Sequence, residues 1–345
     1  MKYLISNKID RENHAGNKAR NDIEIICLNN GYEKLPLLSE KFSKRSIYIK
    51  RGRRILEPLE QYIEITRRLK KIDNNSKIII QYPLQYIEKD AAIKALYKTK
   101  HKKNLELVAI IHDINTLRGY VEITQEKEAK RLSIFDIAIV HNETMKNILI
   151  EKYNFLGKIL ILEFFDYLSN YIIPNNSEIS NTVIFAGNLT KSLFCQKLKN
   201  VQGINFNLYG ICNTPNDFIS SNVKYCGQYT PEEIVKQIEG SFGLVWDGDS
   251  IETCSGGMGN YLKYNTSHKI SLYLVAHKPL IVWSQSATAT YVLKYNIGIT
   301  IDSLEELPQK LQSITPTNYN IMIKNVEKLA LDISSGNRLG KLLSL

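Results

Sequence analysis

The sequence predicts an α/β protein made of two doubly wound domains with a cleft between them, and three observations carry that expectation. Short apolar runs alternate with amphipathic segments along the whole chain, the pattern of repeated β-α units around parallel sheets. At 345 residues the chain can form two ordinary domains, each large enough for its own core. In the middle, residues 170–181 are polar, with Pro174 and four asparagines, and read as an interdomain linker. A first domain is therefore expected over residues 1–168, a linker over 169–181 and a second domain over 182–317.

In the first half, β-branched apolar runs predict strands at Lys2–Ser6, Lys77–Tyr82, 105–111, 136–140 and 158–162. Helices fit between them at 17–29, closed by Gly31, and at 58–71 and 142–151. The second half repeats the scheme, with strands expected at 183–186, 206–209, Val223–Tyr225, 243–246, 279–283 and 297–301. Thr230, Pro231, Glu232 and Glu233 announce a helix that Gly240 closes, and Ser303 with Glu305 and Glu306 announces another. Ser267 caps a third, whose apolar set Ile270, Leu272, Tyr273, Leu274 and Ala276 marks it as buried, before Pro279 opens the next strand. No internal repeat or low-complexity tract interrupts the pattern.

Hydrophobic content of 43% and charged content of 23% describe a soluble globular chain. No apolar run approaches the roughly 18 residues of a membrane span, and residues 1–11 lack the apolar stretch of a signal peptide. A cytoplasmic protein is expected. The five cysteines (Cys27, Cys195, Cys212, Cys226 and Cys254) are scattered without metal-ligand spacing and read as reduced thiols. A net charge of +10 admits nucleic acid, an acidic membrane surface or an anionic substrate. Much of the excess lies in residues 41–54 and 94–103. Either cluster is a solvated face or a peripheral contact with anionic lipid headgroups; nucleic acid is disfavoured, because no recognised binding motif accompanies the charge.

In open parallel sheets a ligand sits beyond the carboxyl ends of the strands. Here strand 183–186 runs into Gly187, Asn188, Leu189, Thr190 and Lys191; strand 206–209 ends at Tyr209 before Gly210; and Val223–Tyr225 leads to Gly227, Gln228 and Tyr229. The helix capped by Ser267 carries His268 and Lys269 in its first turn, with no acidic residue there. A cation at a helix N-terminus costs about 0.3 to 1 kcal/mol. A phosphate held by the free amides and by Lys269 would reverse that sign, with Lys191 as a second phosphate contact; the alternative is a lysine turned out into water. There is no Gly-x-Gly-x-x-Gly after a strand and no Walker sequence, which disfavours nicotinamide redox chemistry and ordinary ATP hydrolysis.

Several clusters are shared with a known family: 246–250 (Trp-Asp-Gly-Asp-Ser), 252–256 (Glu-Thr-Cys-Ser-Gly), Gly259, 261–263, Asn265, His268-Lys269 and 271–274. With 15–20, 111–119, 140–142, 164–168 and 186–189, they make the chain resemble the bacterial β-1,6-galactofuranosyltransferases of O-antigen and capsule synthesis. More distantly it is similar to the glucosyltransferases that extend sugars on serine-rich adhesins. Both resemblances imply a GT-B fold, two Rossmann-like domains with the sugar nucleotide in the second and the acceptor entering from the first. They also imply that residues 318–345 cross back as a helix onto the first domain. In the adhesin enzymes a basic residue, a tyrosine and a lysine contact UDP, and by position these correspond to Lys191, Tyr229 and Lys269.

The function expected is transfer of a hexose, foremost galactofuranose from UDP-galactofuranose, to a saccharide or lipid-linked saccharide acceptor. The alternative is a UDP-glucose-dependent enzyme acting on a glycosylated adhesin or another glycan. The donor nucleotide is assigned to Gly187, Asn188, Lys191, Tyr209, Tyr229, Asn265, Ser267, His268 and Lys269. For the base that takes the acceptor proton the candidate is Asp113, which follows a strand and opens on the cleft, with Glu252 in reserve; a plain helix cap is the other reading of Asp113. Sugar or acceptor contacts are assigned to His14, Gly16, Lys18, His112, Arg118, Asp247 and Asp249, although Asp247-Gly248-Asp249 also reads as a solvated turn and His112 as a packed histidine. No metal or other cofactor is expected, since the lysines neutralise the diphosphate. A homo-oligomer is compatible with the sequence. A sugar-binding scaffold without turnover is the rival to the enzyme.

Overall fold

A computed structural model describes residues 1–6, 15–38, 57–85, 87, 89–171 and 178–345. The basic cluster at 41–54, His14 and residues 172–177 of the polar stretch lie outside the described residues.

The first half runs β1 (Lys2–Ser6), α1 (Ala15–Asn29), β2 (Glu33–Pro36), α2 (Glu57–Leu69), β3 (Lys77–Tyr82) and α3 (Lys89–Lys103). It continues with β4 (Glu106–Ile111), α4 (Gln125–Leu132), β5 (Ile137–Val140), α5 (Glu143–Tyr153) and β6 (Lys158–Ile161). The strands form one parallel sheet in the order β2-β1-β3-β4-β5-β6. Its central strands are apolar on both faces, as a sheet covered on both sides requires. Ile65 and Leu69 of α2, Ala92 and Leu96 of α3, Leu132 of α4 and Met145 and Leu149 of α5 fill one face. Ile23 and Ile26 of α1 fill the other against Leu4, Ile79, Val108 and Ile139.

The second half has its own six-stranded parallel sheet, β12-β11-β10-β7-β8-β9. Its strands are β7 (Thr182–Ala186), β8 (Asn205–Tyr209), β9 (Val223–Tyr225), β10 (Phe242–Val245), β11 (Leu280–Trp283) and β12 (Gly298–Ile301). The helices are α6 (Pro231–Gln237), α7 (Gly256–Tyr261), α8 (His268–Val275), α9 (Ala289–Tyr295) and α10 (Leu307–Gln312). Thr230 and Glu233 close a reciprocal capping box at the start of α6. Ser267 accepts a hydrogen bond from the Lys269 amide at the start of α8. Tyr273 then anchors that helix under the sheet: its hydroxyl accepts from the Ala186 amide at 2.8 Å and donates to the Leu244 carbonyl at 3.2 Å. The orientation of α8, and so of its first turn, is set by a buried side chain little more than one turn from that end's chemistry.

Two further helices, α11 (Pro316–Ser334) and α12 (Asn337–Leu343), follow. The first packs on α8, and the second returns to α1 in the first half, where Leu339 and Leu343 join the core beside Ile23. Asp166 caps that return by accepting from the Arg338 and Leu339 amides at 3.2 and 2.8 Å. No helix among the described residues is long and apolar enough to cross a membrane.

Candidate active site

The carboxyl ends of β7, β8 and β9 meet almost backbone to backbone. The Gly187 amide donates to the Tyr209 carbonyl and the Gly210 amide to the Gly227 carbonyl, both at 2.9 Å. Gly210 has a φ of +126°, and a β-carbon there would lie 1.9 Å from the Gly187 carbonyl oxygen, so no other residue fits without moving the strand end. These glycines leave a cleft of about 390 Å³ between the halves of the molecule.

Gly187, Asn188, Lys191, Tyr209, Tyr229, Asp247, Asn265, Ser267, His268 and Lys269 line the cleft from the second half. Asp113, Arg118 and Tyr167 line it from the first. Lys191 and Lys269, read from two separate strand-to-helix junctions, therefore border the same space. Lys191 is exposed and has no carboxylate partner among the described residues. Lys269 lies over the Phe185 ring, its Nζ 4.5 Å from the centroid, 3.5 Å from the Trp246 carbonyl oxygen and 3.7 Å from Asp247 Oδ2. Asp247, arriving from the end of β10, thus supplies the negative charge that the first turn of α8 lacks. The lysine does not swing out into water.

On the opposite wall Asp113 accepts from Arg118 at 2.8 Å and is hydrogen-bonded by the Tyr261 hydroxyl, which itself accepts from the Ile114 amide at 3.1 Å. Burial raises the Asp113 pKa above the ordinary carboxylate value, and the Arg118 charge opposes that rise. A carboxylate so placed is a stronger base than one in water. Tyr261, at the end of α7, reaches across the cleft to fix it, a role nothing in the local sequence announces.

The two halves are pinned together beside this point. His141 Nδ1 accepts from the Thr266 amide at 3.0 Å while Nε2 donates to the Ile111 carbonyl at 2.8 Å, which requires the neutral ring. Asn142 donates to the Tyr264 carbonyl at 3.1 Å, and Ser271 donates to the Phe165 carbonyl at 2.6 Å. These contacts hold the start of α8 against the first half. His141 and Asn142 stand directly after β5, so their place at a carboxyl strand end was the available signal.

Other residues predicted for the site are employed elsewhere. Glu252 and Asp249 are exposed and outside the cleft lining, engaged by the hydroxyls of Ser250 and Ser255 in their own turn. His112 is buried, bonded to Gln81 at 2.8 Å and stacked on Phe165, so it is a packed histidine. Lys18 is buried too, paired with Asp22 at 2.6 Å and donating to the Leu168 carbonyl at 2.9 Å. It pins the crossover to α1. His268 borders the cleft but packs 4.2 Å from Phe165, and burial pushes its pKa down to about 3, leaving it neutral. Tyr209 belongs to the lining, but its side chain is buried in the core and its hydroxyl accepts from the Glu239 amide at 3.0 Å. Gly16 stands in the first turn of α1. No cluster of three or more His, Cys, Asp or Glu among the described residues is arranged to hold a metal ion.

Family models of the glucosyltransferase 3-like proteins match both halves, the N-terminal domain over residues 2–164 and the C-terminal domain over 183–344. The chain is 35% identical over 237 residues to the β-1,6-galactofuranosyltransferase WbbI of Escherichia coli (strain K12), covering 67% of this chain and 68% of that one. It is 27% identical over 236 residues to glucosyltransferase 3 of Streptococcus gordonii, covering 67% of each. Among solved structures it resembles the sucrose-phosphate synthase of Thermosynechococcus elongatus, with a TM-score of 0.68 at 11% identity over 99% of this chain and 97% of that one. It also resembles Anabaena HepE in complex with UDP-glucose, with a TM-score of 0.62 at 13% identity over 100% of both. The fold shared with these structures is GT-B. The chain is a glycosyltransferase and belongs to the glucosyltransferase 3-like family.

Proposed function

We propose that this enzyme transfers a galactofuranosyl group from UDP-galactofuranose to a saccharide acceptor, free or lipid-linked, in cell-surface polysaccharide synthesis. The observation that carries the reading is the meeting of Lys191, Lys269 and the N-terminus of α8 around one glycine-walled cleft. Two ammonium groups and free helix amides suit a diphosphate that gains charge as it leaves. In this reading they neutralise the leaving UDP, with no metal required of the protein. Tyr229, Tyr209 and Asn265 flank the nucleotide, and Asp247 faces the sugar. Asp113, oriented by Arg118 and Tyr261, takes the acceptor hydroxyl proton as that oxygen attacks the anomeric carbon and the bond to the phosphate oxygen breaks. The galactofuranosyl donor follows the 35% identity to WbbI. The five unpaired cysteines support a reducing, cytoplasmic setting.

The test is UDP release from UDP-galactofuranose in the presence of galactose- and glucose-terminated oligosaccharides. Release that depends on acceptor and exceeds that from UDP-glucose supports the proposal. Preference for UDP-glucose would instead follow the 27% likeness to the streptococcal glucosyltransferase. Binding of UDP without release from either sugar nucleotide would leave a sugar-binding scaffold.

A further inference from the structure

One surface of the first half has no part in the cleft. On α2, Leu59 and Ile63 stand four residues apart and leave 58% of each side chain exposed; on α3, Tyr97 is 51% exposed. The two helices pack side by side, and Tyr62 joins their outer edges. Lys94 and Lys98 of α3 both lie over its ring, with their Nζ atoms 5.5 and 5.6 Å from the centroid. Helical geometry places Leu59 and Ile63 on one side of Tyr62, while Lys94, Lys98 and Lys102 run along α3 at four-residue spacing, with Tyr97 beside them. The three lysines are exposed, and none has a carboxylate partner among the described residues. Glu60 and Glu64 are the counter-charges nearest in sequence, one residue from Leu59 and from Ile63, and Glu64 is already paired with Arg67 and Arg68 at 2.9 and 2.8 Å.

Aliphatic side chains left in water beside unpaired ammonium groups fit one partner better than others. A nucleic acid offers phosphates to the lysines and no place for Leu59 and Ile63. A second protein copy would bury the aliphatic pair while leaving a row of like charges to be met. An anionic bilayer surface takes both: headgroup phosphates meet the lysines, Leu59 and Ile63 enter the acyl boundary, and Tyr97 lies at the headgroup level. We propose that the α2–α3 face docks the enzyme on an anionic membrane. The proposal stands on this surface alone and does not depend on the identity of the sugar donor.

Vesicle co-sedimentation of the full chain tests it, with phosphatidylcholine alone and with added phosphatidylglycerol. The wild-type protein is expected to bind the anionic vesicles and to be released by salt, because exposed charges are screened. Each lysine near such a surface changes partitioning about fivefold, so the triple variant Lys94→Ala/Lys98→Ala/Lys102→Ala should lose on the order of a hundredfold. The variant Leu59→Ser/Ile63→Ser should bind more weakly and dissociate at lower salt. An unchanged UDP-induced thermal shift in both variants shows that the fold and cleft are intact. Equal partitioning of the triple variant and wild type would overturn the proposal. So would a wild-type chain that ignores anionic vesicles, including one that binds single-stranded oligonucleotides through the same lysines.

Discussion

Replacing Lys269 with methionine keeps the aliphatic stem over Phe185 and removes only the ammonium group. A charge-assisted hydrogen bond of the kind proposed to the diphosphate is worth about 1.5–3 kcal/mol, so UDP affinity should fall about 10- to 150-fold. The fold should barely respond. The ion pair with Asp247 spans 3.7 Å with both groups mostly buried, 16% and 18% exposed, so removing the ammonium leaves a carboxylate short of its counter-charge, at a cost of about 1–2 kcal/mol. That cost is offset in part by about 0.3–1 kcal/mol from removing a cation at the start of α8. The ligand-free Tm should therefore move by less than about 4 °C. UDP at a hundred times the wild-type Kd stabilises the wild type by about 2.7 kcal/mol; a thirtyfold weaker variant at the same concentration gains only about 0.9 kcal/mol. Calorimetric titration with UDP and a thermal melt with and without it read both effects, and Lys269→Arg should retain part of the affinity. A Kd for Lys269→Met within threefold of wild type, with the full UDP-induced shift, would refute the placement of the diphosphate at α8.

Two other perturbations separate chemistry from architecture. Asp113→Asn should fold and bind UDP as the wild type does while transfer drops by about two orders of magnitude or more, the usual contribution of a general base; undiminished turnover would remove Asp113 from the mechanism. Burial pushes the His141 pKa down to about 4, below the ordinary value near 6.5, against the opposing hydrogen bond to the Ile111 carbonyl. A depressed folded-state pKa means that the unfolded chain binds the extra proton first. This stability is present above pH 6.5 and is lost as the pH falls toward 4, by about 2–3 kcal/mol at pH 4.5. Urea melts at pH 7 and pH 4.5 should show that loss in the wild type and a flatter response in His141→Phe; parallel acid responses would contradict it.

What the sequence revealed follows the range of its signals. Strand positions and the start of α8 were legible because they are local: β-branched runs, a serine cap and a proline at the next strand. Even Lys269 could be singled out, since its charge conflicts with the helix end on which it sits. Its partner Asp247 arrives from another strand, and only the folded sheet brings the two together. The same limit explains Lys18, which reads as an available polar group until Asp22 encloses it, whereas the packed reading of His112 is the one its stacking on Phe165 bears out. Edge strand β2 was missed because only four residues, mostly exposed, compose it. Helix α3 was read as a charge cluster, because its buried face consists largely of small side chains, Ala91, Ala92 and Ala95, under a row of lysines. Tyr261 was legible only as part of the family-like cluster 261–263, and its role had no local signal, being to cross the cleft toward Asp113.

The central claim is that Lys191 and Lys269, from two strand ends, grip one diphosphate. A crystal structure of the chain with UDP measures this directly. The account predicts both Nζ atoms within hydrogen-bonding distance of diphosphate oxygens, with the first amides of α8 turned toward the same group. UDP bound elsewhere, or in this cleft with its phosphates out of reach of either lysine, would contradict it.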